Sequence, residues 1–140
     1  MHRLFLTEND VKYSGILKIK VPERLWGDIE RYQQQVPADA VLLGAKDLHV
    51  TLIHQSILSN FKDKLKKMQF LEAPPIELED EVWERSSPGK KSWAIRVKNQ
   101  DDMRNYVRQV MKSLGSPNLN PEPERVFHVS IANLTGRPQD

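Results

Sequence analysis

Apolar and polar positions alternate through YSGILKIKVP from Tyr13, which predicts a strand over about Ser14 to Val21. That period turns Gly15, Leu17, Ile19 and Val21 to one face and Ser14, Ile16, Lys18 and Lys20 to the other. Pro22 stops the strand and suits the first turn of a helix. Leu25, Trp26, Ile29 and Tyr32 then recur at helical spacing, predicting a helix over roughly Glu23 to Gln35. After a loop bracketed by Pro37 and Gly44, DLHVTLIH gives a second strand over about Asp47 to His54. Phe61, Leu65 and Met68 mark a helix over Asn60 to Phe70, and Pro74-Pro75 breaks the chain. Ile76 to Arg85 and Ser92 to Lys98 form a strand pair around Ser87-Pro88-Gly89. A helix over Asp101 to Leu114 follows, with Asn99 or Asp101 as cap and Gly115 near its end. Val126 to Asn133 is the last strand. The order β-α-β-α-β-β-α-β, with no long linker, predicts one α+β domain over residues 1–140.

Two of these strands carry the same fragment. Leu48-His49-Val50-Thr51-Leu52 and Phe127-His128-Val129-Ser130-Ile131 both read apolar, His, Val, hydroxyl, apolar. Side chains alternate faces along a strand, so Val50, Leu52, Val129 and Ile131 enter the core while His49, Thr51, His128 and Ser130 share the opposite face. Adjacent in one sheet, the two strands would bring two imidazoles and two hydroxyls to one patch. Phosphoryl transfer uses such a set: one imidazole takes a proton from the attacking oxygen and the other gives one to the leaving oxygen. The hydroxyls can donate to the non-bridging phosphate oxygens, where charge builds. His54-Gln55-Ser56 fits the bare His-x-hydroxyl pattern but lacks the apolar frame, and His54 reads as structural. His2 reads as an exposed terminal residue.

Composition narrows the chemistry. Hydrophobic residues make up 39% and charged residues 29% of the 140-residue chain, the balance of an ordinary globular domain. No apolar run approaches the roughly 20 residues of a membrane span, and Met1 to Asp10 holds only Leu4-Phe5-Leu6, too short for a signal-peptide core. A cytoplasmic location is expected, that of the host if the protein is viral. The absence of cysteine removes thiolate catalysis and cysteine-containing zinc sites. A formal net charge of +2 does not predict a grip on long duplex nucleic acid, but it suits a small anionic substrate held at a local basic site.

With HVTL at His49 and HVSI at His128, the sequence resembles the 2H phosphoesterase superfamily, named for two H-x-[ST]-x motifs. The resemblance covers nearly the whole chain. It implies a two-lobed domain with antiparallel sheets forming a central cleft and helices outside, and a metal-independent phosphodiesterase that needs no cofactor. The Glu81-Val82-Trp83 strand, its turn and the Ser92 to Lys98 strand between the motifs look most like phage anti-CBASS proteins, which destroy cyclic oligonucleotide immune signals. Ser130 replaces threonine in the second motif and keeps the hydroxyl. The chain ends soon after it, so no lid from a longer C-terminal segment is expected. The implied chemistry is attack of a ribose 2′-OH on a 3′,5′ linkage, or of water on a 2′,3′-cyclic phosphate. Catalytic roles fall to His49, Thr51, His128 and Ser130, without fixing which histidine is base and which acid.

Further substrate contacts are expected from Tyr13 and Trp83, by stacking on a base, and from Lys18 and Arg96, by meeting phosphate. Trp83 fits equally as a cap on the edge of the core, whereas Trp93 aligns with Ile95 and Val97 and belongs inside it. The lysines at 62, 64, 66 and 67 read as a wetted helix face. Competing functions are an RNA 2′,3′-cyclic phosphodiesterase or end-processing enzyme and a nucleotide-binding module that does not cut. A histidine-based metal site is the weakest alternative, since no carboxylate stands at a motif position. Oligomeric state is not legible.

Overall fold

The alternating segments build one antiparallel sheet. In the computed structural model, which describes residues 11–138, the strands are β1 (Val11–Ser14), β2 (Ile16–Lys20), β3 (Val41–Leu42), β4 (His49–Ile53), β5 (Leu78–Ser87), β6 (Lys90–Val97) and β7 (His128–Asn133). The readings of His2 and of Met1 to Asp10 lie outside the described residues. The sheet order is β1-β2-β4-β7-β6-β5, with β3 beside β7, and every pairing is antiparallel. The α+β class stands. The separate sheets expected above are a single continuous sheet, because β4 and β7 pair directly at Val50↔Val129.

One face of this sheet is the core. Leu17, Ile19, Val50, Ile95, Val129 and Ile131 are fully buried there. The helices are α1 (Trp26–Gln33), α2 (Gln55–Leu58), α3 (Lys62–Lys67) and α4 (Gln100–Ser113). They contribute Ile29 and Tyr32, Leu58, Leu65, and the stripe Met103, Tyr106, Val107, Val110 and Met111 to the same core. Trp93 is buried with them, as its alternation predicts. Among the described residues, no helix is long and apolar enough to cross a membrane.

Several boundaries differ from the sequence reading. The strand expected from Ser14 is a hairpin: Gly15 takes φ +88° and folds β1 back on β2, pairing Ser14 with Ile16. Glycine meets no Cβ penalty there. Asn99 holds the cap position of α4, but its side chain is engaged elsewhere, donating to Pro75 O at 2.8 Å and accepting from Glu77 N at 3.2 Å.

The sheet is internally repeated. β1-β2-α1-β4 and β5-β6-α4-β7 follow the same course, and the correspondence extends to irregularities. β2 pairs Leu17 with Ile53 but Lys18 with Thr51, so Leu52 is an extra residue on β4. β6 pairs Trp93 with Ala132 but Ala94 with Ser130, so Ile131 is an extra residue on β7. Both bulges fall at the fourth position of the H-x-[ST]-x fragment, and bulges re-aim side chains beside functional surfaces. Val21 N donates to Leu48 O at 3.1 Å, and Val97 N donates to Phe127 O at 3.0 Å, again at matching places.

Candidate active site

The face opposite the helices carries the polar side chains of both matched fragments. Because β4 and β7 are antiparallel about Val50↔Val129, His49 stands level with Ser130 and Thr51 level with His128. Two rows of side chains thus cross the sheet. One runs Lys12, Lys18, Thr51, His128, Arg96; the other runs Lys20, His49, Ser130, Ala94, Trp83. The histidines are diagonal neighbours across the central strand pair, and such positions lie about 7–8 Å apart. Close approach is also felt electrostatically, since His49 lowers the proton affinity of His128.

Each ring is held in the same way. His49 Nδ1 lies 2.9 Å from the carbonyl of Asp47, and His128 Nδ1 lies 2.7 Å from the carbonyl of Val126, in both cases two residues upstream. A carbonyl oxygen only accepts, so each Nδ1 carries a hydrogen and Nε2 is the nitrogen left to exchange protons. Arg85 fixes the state of His128 further: its NH1 lies 2.9 Å from Nε2. A guanidinium only donates, so His128 Nε2 is a bare acceptor and the ring is neutral. Burial pushes this ring down to about 4, and Arg85, Arg125 and His49 press the same way against the Val126 carbonyl.

The hydroxyls differ in setting. Ser130 is half-buried, whereas Thr51 is 4% exposed and its Oγ1 is buried with no hydrogen-bond partner. Native proteins seldom leave such a group unpaired away from a functional site.

Gln100, at the start of α4, sets the approach to β7. Its Nε2 donates to Val97 O at 2.8 Å and Phe127 O at 2.7 Å, and its Oε1 accepts from Phe127 N at 2.9 Å. One side chain thereby pins the residue before His128.

The remaining candidates divide. Lys18 pairs with Thr51 and Arg96 with His128, so both stand on the histidine face; Arg96 also meets Glu79 at 4.0 Å. Trp83 is on that face as well, edge-on to His128 with ring centroids 5.6 Å apart. Arg96 and Arg85 lie over its indole, 4.5 and 5.1 Å from the centroid, so its ring holds guanidiniums as well as lining a hollow beside His128. Tyr13 is corrected: opposite Leu17, it points to the helix side and packs against the core, away from the histidines. The reason is parity: Tyr13 falls with Leu17 and Ile19 on the helix-facing side, and the hairpin at Gly15 keeps it there while Lys12 stands on the histidine face. His54 is structural as read, its Nδ1 accepting from Ser56 N to cap α2.

The sequence reading gave Arg85 no role; its spacing two residues beyond Trp83, which puts both on one face of the strand, was the available signal. Nothing in the sequence pointed to Arg125 or to the clamp made by Gln100.

Two hollows flank the histidines and share His54. A hollow of about 700 Å³ beside His128 is lined by Trp83, Arg85, Arg125, Glu122 and Glu124 among others. The hollow beside His49, about 460 Å³, is lined by Ser14, Ile16, Lys18, Gln55, Lys90 and Pro138 besides the imidazoles, with no carboxylate among the described residues. Among the described residues, no three His, Asp or Glu side chains are grouped to hold a metal ion. Comparison with protein-family models, with curated proteins and with solved structures returned no match.

Proposed function

We propose that this chain is a metal-independent phosphodiesterase of the two-histidine type, its repeated half-sheets forming the two lobes and the histidine face the cleft. The observation that carries the reading is the duplicated setting of the rings: equivalent bulged strands and equivalent Nδ1 bonds to a carbonyl two residues upstream. A structural histidine has no need of a matched partner across a strand pair.

In this reading His128, neutral at pH 7, accepts the proton of the attacking hydroxyl, and His49 protonates the departing oxygen. Ser130, Thr51 and the cations Lys18 and Arg96 bind the phosphoryl oxygens as charge grows on them. The lysine-lined hollow beside His49 favours a small nucleotide with more than one phosphate, such as a cyclic oligonucleotide, over a mononucleotide 2′,3′-cyclic phosphate.

The test is turnover, with EDTA present, across cyclic di- and trinucleotides and nucleoside 2′,3′-cyclic phosphates. Cyclic oligonucleotides are expected to be linearised, and His49→Ala and His128→Ala each to lose about 10²–10⁴-fold in rate. A folded protein that turns over nothing in the panel defeats the reading. Preference for the mononucleotides moves it to RNA end processing, and retained binding without turnover moves it to a binding module.

A further inference from the structure

The two halves match in backbone but not in the side chain beside each catalytic candidate. Arg85 pairs with Ser92, and the corresponding pair in the first half is Ser14 with Ile16. The place that Arg85 holds next to His128 is therefore occupied by a serine on the His49 side, where Ser14 lines the hollow. Arg85 is one asymmetry between two imidazoles whose ring tethers match.

Its position conflicts with proton transfer. NH1 stands 2.9 Å from His128 Nε2, where the proton of an attacking or departing oxygen must sit. A guanidinium has no acceptor and keeps its protons at any working pH, so it cannot relay one. His128 can act only after this contact is exchanged. The fork of donors on Arg85 matches phosphate oxygens, a stronger partner than a neutral ring. Its plane already lies over Trp83, 5.1 Å from the ring centroid, a face that can be kept while the donors change partner.

We propose that Arg85 is a substrate-exchanged cap, covering His128 Nε2 in the free protein and moving onto a phosphate oxygen when substrate enters. The NH1–H hydrogen bond to Nε2 is replaced by one to the phosphate, and the freed lone pair accepts the proton of the attacking hydroxyl. The inference rests on the phosphodiesterase reading and names a further substrate-contacting residue for it. Among the described residues, the other charged or titratable groups around the ring are Arg96 opposite it on β6, Arg125 in the preceding loop with its partner Glu122, Glu124 and His54 on the same hollow, and His49 on β4.

The experiment follows the His128 ring by NMR through a pH titration in the full chain, for the parent protein, Arg85→Ala and Arg85→Lys, with and without sodium sulfate as a non-titrating tetrahedral dianion. Removing the cation in Arg85→Ala should raise the His128 pKa by about 1 unit or more, and sulfate should raise it in the parent far more than in the alanine variant. In turnover, kcat should fall about 10²-fold, and the acid limb of the profile should move to higher pH. Arg85→Lys keeps the charge but loses the fork, so kcat should fall with little change in titration; this variant serves should the alanine one not fold. An unchanged His128 titration in Arg85→Ala overturns the cap, and an equal or higher kcat at neutral pH overturns the transfer to phosphate. Because the titration needs no turnover, a silent substrate screen with an Arg85-dependent sulfate response defeats the enzyme reading alone.

Discussion

At the scale of single residues, Thr51 has the setting that the fold by itself explains least. Its hydroxyl is buried without a partner, an arrangement that costs about 1–3 kcal/mol. Thr51→Val keeps the shape and removes the stranded oxygen. It should leave the protein as stable or more stable by up to about 1–2 kcal/mol in urea unfolding, while lowering kcat about 10²-fold. A variant that loses stability and keeps its rate would show that the hydroxyl serves the core instead. The residue scale was also the most legible in the sequence. His49, Thr51, His128 and Ser130 were all placed on one face by period-2 alternation within an apolar frame, and Lys18 and Arg96 followed from the same rule. Tyr13 follows the rule as well, falling with Leu17 and Ile19 on the helix side, and the expectation that it stacks on a base set that alternation aside.

Among the elements, the loop-to-β7 passage depends on α4. Gln100 makes three hydrogen bonds to the backbone of Val97 and Phe127, acting as a rung where β6 and β7 need one beside His128. Gln100→Ala should cost about 1–3 kcal/mol and reduce kcat by more than it changes KM. Gln100→Glu should rescue only in part, because a carboxylate can accept from Phe127 N but cannot donate to the two carbonyls. Unfolding and steady-state kinetics on the pair separate this positioning role from simple stability. Long-range clamps of this kind are invisible in the local sequence, since nothing around Gln100 announces the partner at Phe127. The two-residue β3 was missed for a related reason: Val41 and Leu42 are exposed, too short a run for alternation, and paired only because β7 passes beside them. By contrast, the apolar stripe of α4 from Met103 to Met111 repeats often enough to be read directly.

For the molecule as a whole, the buried neutral His128 couples folding to acidity. Its pKa falls from 6.5 to about 4 on folding, so between those values the unfolded chain binds a proton that the folded one refuses. Stability is then complete above about pH 6.5 and is lost as pH falls toward 4. The loss from this ring alone should be about 2 kcal/mol between pH 7 and pH 5. Urea unfolding at the two pH values, compared with His128→Gln, should show the variant less sensitive to acid by about that amount; an identical slope in both would place the ring in a wetter setting. The α+β class followed from the order of elements, whereas the continuous sheet and its internal repeat required the pairing of Val50 with Val129.

The duplicated ring setting carries a consequence for turnover on the proposed mechanism. Opening a 3′,5′ linkage through the 2′-oxygen would leave His128 charged and His49 neutral, the reverse of the starting state. Hydrolysis of the resulting cyclic phosphate would call on the rings in swapped duties and return both to where they began. Two identically tethered imidazoles can trade offices without moving, so a cycle of two chemical steps resets its own proton inventory, while a cycle of one must wait for the solvent.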